Sequence, residues 1–243
     1  MRIYAPDYYT QFHCIAEKCT HTCCAGWEID IDSKSLERYR TLKGPLAEEL
    51  RLSIEESDPP HFRLTERERC PMLNEQGLCR LILHYGESAL CQICTDHPRF
   101  RNFWSDRIEI GLGLVCEEAA RLILEAKHPM RLILLENGDA KQLTPREQAV
   151  LRIRNQLLEQ VSEHGPAARL HEYLIYRHIA DAVYDGRLFE RIRFVKHAFQ
   201  FMMKQWTDGK AESLEEIARR FSDTVEYDSD VLNFWITSQR KQL

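Results

Sequence analysis

The sequence predicts a mainly α protein in two parts: an irregular, cysteine-rich α+β metal-binding N-terminal part followed by a helical C-terminal part. Two observations predict this class. All nine cysteines lie at or before residue 116. Beyond residue 117, apolar residues recur at helical spacing between helix-capping signals. We therefore predict a cysteine-rich metal/iron-sulfur-binding domain over residues 1–130 and a helical domain over 140–243, which can share one core.

Short elements are expected in the N-terminal part. Ser33 or Ser35 can cap a helix whose apolar residues recur at spacings of three and four, and Pro59–Pro60 ends that segment. The elements predicted here are, in order, a helix from about Ser33 to Leu50, a strand over 61–65, a turn at 74–77, a helix over 80–85, two strands within 101–115 that turn at Ser105–Asp106, and a helix over 117–127.

In the C-terminal part, helix-capping and helix-ending residues delimit the predicted helices. Thr144-Pro145-Arg146-Glu147 has the pattern of a capping box with proline at the first helical position. The predicted helices are the one that this box opens, which ends at Gly165–Pro166, a second that runs to Asp185–Gly186, a third over 187–207, a fourth capped by Ser213 with Glu216, and a last that starts near Asp228. Together they predict a helical bundle or layer.

The composition excludes several classes of protein. Thirty-three Lys and Arg stand against 38 Asp and Glu, and no basic half or stripe is present to bind a phosphate backbone. We therefore expect no nucleic-acid partner. No apolar run approaches the roughly 20 residues of a membrane span, and the N-terminal residues lack the apolar segment of a signal peptide. We expect a cytoplasmic protein with no transmembrane segment.

In a reducing compartment, nine clustered cysteines argue for metal rather than for disulfides. They form two groups, Cys14-x4-Cys19-x3-Cys23-Cys24 and Cys70-x8-Cys79-x11-Cys91-x2-Cys94, with Cys116 farther along the chain. Thiolates are soft ligands that hold zinc ions or iron–sulfur clusters. The spacing alone leaves zinc and iron–sulfur about equally favoured, because only one C-x2-C pair is present.

Five ordered blocks resemble the flagellin lysine-N-methylase family, within the wider group of CxxCxxCC putative zinc- or iron-chelating proteins. They are FHCIAEKCTHTCCAGWEIDID (12–32), CPML (70–73), LC (78–79), GESALCQICTDHPR (86–99) and LVCEEAAR (114–121). The resemblance covers about half of the chain. It departs from the family pattern at His97, where the family usually has tyrosine, and at Glu117, where it usually has proline.

The resemblance implies a cytoplasmic enzyme that methylates lysine side chains of flagellin from S-adenosyl-L-methionine (SAM) and depends on a cysteine-ligated [4Fe–4S] cluster. The metal ligands expected on this basis are Cys14, Cys19, Cys23, Cys24, Cys70, Cys79, Cys91, Cys94 and Cys116. Two alternatives stay open: a non-enzymatic zinc-binding interaction module, and an iron- or redox-sensing protein.

Three residues near the last block are candidates for catalysis. Methylation needs a neutral lysine amine, so Glu109 or Glu118 could act as the base, and Arg99 could neutralise a cluster or a SAM carboxylate. The segment Glu109-Ile110-Gly111-Leu112-Gly113 resembles the glycine turn at which Rossmann-like methyltransferases meet SAM. No βαβ alternation follows it, which favours a strand with two small residues over a SAM loop.

Overall fold

The computed structural model describes residues 1–161, 164–208 and 212–238. Its strands are β1 Arg2–Pro6, β2 Ile54–Glu55, β3 His61–Phe62, β4 Arg99–Phe103, β5 Arg107–Leu112 and β6 Leu132–Glu136. Its helices are α1 Ser33–Thr41, α2 Ala47–Leu52, α3 Arg80–Tyr85, α4 Gln92–Asp96, α5 Glu117–Leu124, α6 Pro145–Glu159, α7 Pro166–His178, α8 Ala182–Asp185, α9 Leu188–Thr207, α10 Leu214–Phe221 and α11 Ser229–Ser238. The predicted class is confirmed as mainly α with some β. Metal binding by the cysteine-rich part stays a prediction.

The chain divides into two compact units. The first, here called the cysteine unit, is Cys14–His97, and the second, the helical unit, is Met1–His13 with Pro98–Leu243. This division differs from the predicted one, 1–130 and 140–243, because β1 at the start of the chain pairs with strands that follow the cysteine-rich segment.

A four-stranded sheet of order β4-β5-β1-β6 forms one part of the helical unit. β1 runs parallel to β5 and antiparallel to β6, and β4 runs antiparallel to β5. The predicted strand pair with its turn at Ser105–Asp106 is confirmed. The second strand is shorter than the predicted range of 101–115 allows, since β5 ends at Leu112 and α5 begins at Glu117.

Helices supply most of the buried core of the helical unit. Leu170 and Leu174 of α7 and Phe194, Ala198 and Met202 of α9 are fully buried. The predicted capping box is present, since the Thr144 hydroxyl accepts a hydrogen bond from the Glu147 amide and the Glu147 carboxylate accepts one from Thr144. In the described part of the chain, no helix is both long and apolar enough to cross a membrane.

The cysteine unit is built from short elements around a smaller core. The helix predicted from Ser33 to Leu50 is divided into α1 and α2, because Gly44, with φ +122, and Pro45 interrupt it. The predicted strand at 61–65 is the short β3, which pairs antiparallel with β2. The predicted helix at 80–85 is confirmed as α3.

Candidate functional site

Two segments that are distant in sequence bring Cys24 and Cys70 together. The amide of Cys70 donates to the carbonyl of Cys24 at 2.8 Å, and Ala25, which follows Cys24, forms an antiparallel bridge with Arg69, which precedes Cys70. Gly26 has φ +82, a left-handed conformation that glycine adopts without a steric cost. Backbone pairing therefore fixes one cysteine from each of the two sequence groups side by side.

A tight turn brings Cys79 back toward Cys70. The amide of Leu73 donates to the Cys70 carbonyl, and Leu73 bridges Cys79 across the turn. The Asn74 side chain accepts a hydrogen bond from the Leu78 amide at 2.8 Å, which fixes the turn predicted at 74–77. Cys79 then directly precedes α3.

The C-x2-C pair flanks the start of α4. Cys91 directly precedes this helix and is fully buried, and Cys94 lies one turn later. Their Sγ atoms are 3.4 Å apart. A tetrahedral zinc site with Zn–S bonds of 2.3 Å separates two sulfurs by about 3.8 Å, so the observed spacing suits two thiolates on one metal ion.

Five thiols share one region of the cysteine unit, and we call them the five-thiol group. Cys70 and Cys91 are part of the buried core, and three others pack against it. The charges of Cys24, Cys79 and Cys91 each act on the pKa of Cys70, and those of Cys24 and Cys70 act on the pKa of Cys94. The members of the group are Cys24, Cys70, Cys79, Cys91 and Cys94.

Burial and hydrogen bonding give these thiols different acidities. A hydrogen bond with Cys23, helped by Thr22 and Arg69, lowers the pKa of Cys24 to about 7, and a bond with Cys94 lowers the pKa of Cys91. Burial raises the pKa of Cys70 to about 12. The thiolate is the form that binds metal. Relative to an ordinary thiol, the thiolate is favoured at Cys24 and at Cys91.

The donor chemistry of the five-thiol group fits a soft metal or an iron–sulfur cluster. The close contacts are pairwise: Cys91–Cys94 at 3.4 Å and Cys23–Cys24 at 4.0 Å between Sγ atoms. Among the residues that the structure describes, no three or more His, Cys, Asp or Glu side chains converge in a geometry that would hold a metal ion. We call each such pair a half-site, because its two sulfurs are close enough to serve as ligands of one metal ion.

The other predicted ligands lie outside the five-thiol group. Cys14 is exposed, and the Cys19 thiol donates to the carbonyl of His21 at 2.9 Å. Cys23 precedes Cys24 in the sequence, and the Sγ atoms of the two residues are 4.0 Å apart. Cys116 is in the helical unit, at the position before α5. Their role as ligands stays a prediction.

A cavity of about 470 Å³ opens in the cysteine unit beside the C-x2-C pair. Gln92 and Ile93, the two residues between Cys91 and Cys94, form part of its wall. Its other lining residues include four aspartates, which are Asp30, Asp32, Asp58 and Asp96. Sequence analysis missed this feature, because the aspartates come from separate segments and follow no spacing rule.

Glu109, one of the two predicted bases, is buried in an ion-pair network of the helical unit. Both of its carboxylate oxygens accept bonds from Arg154, at 2.5 and 3.0 Å, and Arg107 adds a third at 2.8 Å. Burial raises the pKa of Glu109, but the two arginines outweigh it and hold that pKa below its ordinary value. The arrangement favours a structural ion pair, and the catalytic role stays a prediction.

Glu118 and Arg99 also have partners within the helical unit. Glu118, on α5, accepts two hydrogen bonds from Arg121, and its side chain retains 11% exposure. The Arg99 guanidinium donates to the Tyr9 hydroxyl at 2.9 Å and stacks over the rings of Tyr9 and Phe12. Glu118 is thus the more accessible of the two predicted carboxylates.

The two glycines near the end of β5 are explained by packing. A Cβ on Gly111 would overlap the ring of Phe100, which packs against Tyr173 and Tyr176. A Cβ on Gly113 would lie 2.6 Å from the Tyr227 hydroxyl. This favours the interpretation as a strand with two small residues over a SAM loop.

A second buried carboxylate was not found by sequence analysis. Glu226, in a π-helical turn over Ser222–Glu226, accepts hydrogen bonds from Tyr173, His178 and Ser222 at 2.5–2.7 Å. Burial opposes its charge, but Arg177 and His178 lower the pKa of Glu226 to about 2. This network locks α7 to the segment between α10 and α11.

Comparison with known proteins identifies relatives of this chain. It is 25% identical over 159 residues to proteins named lysine-N-methylase from Salmonella typhimurium and Salmonella choleraesuis, an alignment covering 61% of this chain and 40% of each relative. It is 26% identical over 134 residues to a flagellar biosynthetic protein, FliU, from Salmonella muenchen, covering 52% of this chain and 79% of that protein. The chain thus spans about 40% of the length of the lysine-N-methylases that it matches. No family model and no solved structure matches it.

Proposed function

Because the chain is related in sequence to the lysine-N-methylases and to FliU, which confirms the resemblance found in its cysteine blocks, we propose that it is a protein-lysine N-methyltransferase. The proposed methyl donor is SAM, the proposed substrate is flagellin, and the proposed location is the cytoplasm. A cysteine-ligated [4Fe–4S] cluster is the proposed cofactor.

One structural observation supports the cofactor: the five-thiol group gathers cysteines from three segments into one part of a small core. A four-iron cluster has at most four cysteine ligands, so five interacting thiols are enough to supply them. In this proposal the protein ligands of the cluster come from Cys24, Cys70, Cys79, Cys91 and Cys94. Three of these thiolates would hold three of the irons, and the fourth iron, without a cysteine ligand, would offer the position at which SAM binds.

The protein side chains have a separate task, which is to handle the proton of the substrate lysine. A lysine ammonium has an ordinary pKa near 10.4, so a base must hold its proton before the amine can accept a methyl group. Of the two predicted bases, Glu118 keeps some exposure, whereas Glu109 is closed off by two arginines. We therefore propose Glu118 as the base, with its contact to Arg121 exchanged for the substrate.

A methyl-transfer assay tests this function. The full chain, purified without oxygen, is incubated with SAM labelled in its methyl group and with purified flagellin, and label in lysine residues is measured by mass spectrometry. We expect transfer that is lost in the Cys91→Ala/Cys94→Ala double variant and reduced at least ten-fold in Glu118→Gln. No transfer from protein that carries an intact cluster would contradict the proposal.

A zinc-binding interaction module is the second candidate, and one distance favours it. The 3.4 Å separation of the Cys91 and Cys94 sulfurs is close to that of two ligands on a single zinc ion. In a four-iron cluster, by contrast, each thiolate binds a separate iron. Stoichiometric zinc without iron or sulfide in the purified chain would select this candidate over the methyltransferase.

A further inference from the structure

Asp32 links the start of α1 to the start of α4. Its Oδ1 accepts a hydrogen bond from the Ser35 amide at 3.0 Å, the usual bond of a helix N-cap. Its Oδ2 accepts a bond from the amide of Gln92 at 2.8 Å. Gln92 is the residue after Cys91, so a carboxylate 60 positions earlier in the chain holds the backbone beside the C-x2-C pair.

Two further side chains of α1 bind the residues just before Cys91. The Arg38 guanidinium donates to the carbonyls of Ser88, Ala89 and Leu90, the last at 2.8 Å. The buried Tyr39 hydroxyl donates to the Ala89 carbonyl at 2.7 Å. The backbone on both sides of Cys91 is therefore tied to one helix.

These bonds matter because α4 is too short to be stable by itself. It has five residues, fewer than an isolated helix needs in water. Hydrogen bonds that involve a charged group are stronger than neutral ones, and Asp32 and Arg38 both supply bonds of this kind. Without them, the segment would lose conformational freedom when its two thiols bind one metal centre, and that loss would weaken binding.

We propose that Asp32 is a positioning residue of the metal half-site formed by Cys91 and Cys94, and that Arg38 and Tyr39 assist it. The inference rests on the proposed metal-binding role of these two cysteines. Asp32 acts through the backbone. Its bond to Gln92 fixes the turn from Cys91 to Cys94, so that both sulfurs are already oriented toward one position when the metal binds. Side chains that hydrogen-bond to metal ligands and orient them commonly change metal affinity by about 10–100-fold, and we expect an effect within this range from Asp32 through the backbone.

The variant Asp32→Asn separates the two bonds of this carboxylate. Asparagine is a good N-cap, so its one side-chain oxygen can still accept from Ser35. Its amide nitrogen is a donor and cannot accept the bond from Gln92. Asp30→Asn is the matched control, because Asp30 lies two residues earlier, lines the same cavity, and makes no hydrogen bond to the 88–94 backbone in the described part of the chain.

The experiment is a Co²⁺ titration of the full, reduced chain against a competing chelator, followed by the thiolate-to-cobalt absorption band. We expect Asp32→Asn to bind Co²⁺ about 10–100-fold more weakly than the wild type, with a changed band, and Asp30→Asn to match the wild type. Circular dichroism of the metal-free variants checks their folding. If Asp32→Asn fails to fold, Tyr39→Phe takes its place, with an expected weakening of about five-fold for one lost hydrogen bond.

Each outcome decides the proposal. Wild-type affinity in Asp32→Asn, or in Tyr39→Phe where that variant is used, would overturn the positioning role and leave the metal-binding role intact. Equal weakening in Asp32→Asn and Asp30→Asn would assign the effect to charge and would also overturn it. A wild-type chain that binds no Co²⁺ through thiolates would overturn both the positioning role and the proposed metal site.

Discussion

Different interactions stabilise the interior of each of the two units. In the helical unit, helices of up to 20 residues pack around a large apolar core, and buried ion pairs join its segments. In the cysteine unit the longest helix has nine residues, and cysteines occupy part of a smaller core. Small cores commonly need a metal or crosslinks for stability, whereas larger ones do not.

This difference shows where the stability of each unit comes from. In the helical unit, the large buried apolar core supplies most of the stabilisation. In the cysteine unit, the thiols of Cys70 and Cys91 lie in the buried core at positions that a larger domain would give to leucine or isoleucine. We therefore expect a bound metal to add to the stability of this unit. The predictions below perturb the two units separately, from the largest expected effect to the smallest.

Replacing both cysteines of the C-x2-C pair should have the largest effect. We expect Cys91→Ser/Cys94→Ser to lose at least nine-tenths of the bound metal and to open the cysteine unit, because both sulfurs of one half-site are removed and a polar group enters the core. Metal analysis and limited proteolysis measure this. Lys34→Gln is the control, since Lys34 is exposed on α1 and carries no metal-ligating group. Equal metal loss in the control would contradict this account of the site.

In the helical unit, Arg154→Met should cost about 3–5 kcal/mol, because it leaves the Glu109 carboxylate buried with Arg107 as its remaining cation. Chemical denaturation followed by circular dichroism measures the loss. The double variant Glu109→Leu/Arg154→Met should recover most of it, since no charge is then left unpaired. A single variant as stable as the wild type would show that this ion pair does not support the unit.

Acid should destabilise the helical unit through Glu226. Its pKa is about 2 in the folded chain against an ordinary 4.5, so the unfolded chain takes up this proton first. The resulting stability, about 3 kcal/mol, is fully present above pH 4.5 and is lost as the pH falls toward 2. Glu226→Gln should lack this part of the pH dependence. Parallel stability curves for the two proteins between pH 5 and pH 2 would contradict the assignment.

A smaller effect is expected from Gly111→Ala. The added methyl group meets the ring of Phe100, so we expect a loss of about 1–3 kcal/mol from overpacking. The second change Phe100→Leu should relieve part of it, because leucine leaves space for the methyl group. If Gly111→Ala keeps its stability and instead weakens SAM binding, measured by calorimetry, the interpretation of this segment as a packed strand is wrong.

Local signals in the sequence predicted much of the secondary structure. The Thr144 capping box and the turn at Ser105–Asp106 depend on neighbouring residues, and both are confirmed. β1 was missed because its hydrogen-bond partners, β5 and β6, lie more than 100 residues away. β6 was missed because it falls in a segment interpreted as the boundary between domains.

The contacts of the candidate site also fall into local ones, which the sequence predicted, and long-range ones, which it did not. The close approach of Cys91 and Cys94 follows from their spacing, since three positions separate residues on one face of a helix. The pairing of Cys24 with Cys70 depends on a backbone bridge between distant segments, which no spacing rule contains. The same is true of the bond between Asp32 and Gln92. The sequence therefore identified candidate ligand residues but not the contacts that orient them.

The most direct test of the central claim is a metal analysis of the full chain purified without oxygen. Iron, zinc and acid-labile sulfide are measured per chain, with an absorption spectrum before and after exposure to air. The account predicts about four irons and four sulfides, the composition of a [4Fe–4S] cluster, and a brown colour that bleaches in air. A folded chain that contains neither iron nor zinc would contradict the claim that the five-thiol group is a metal site.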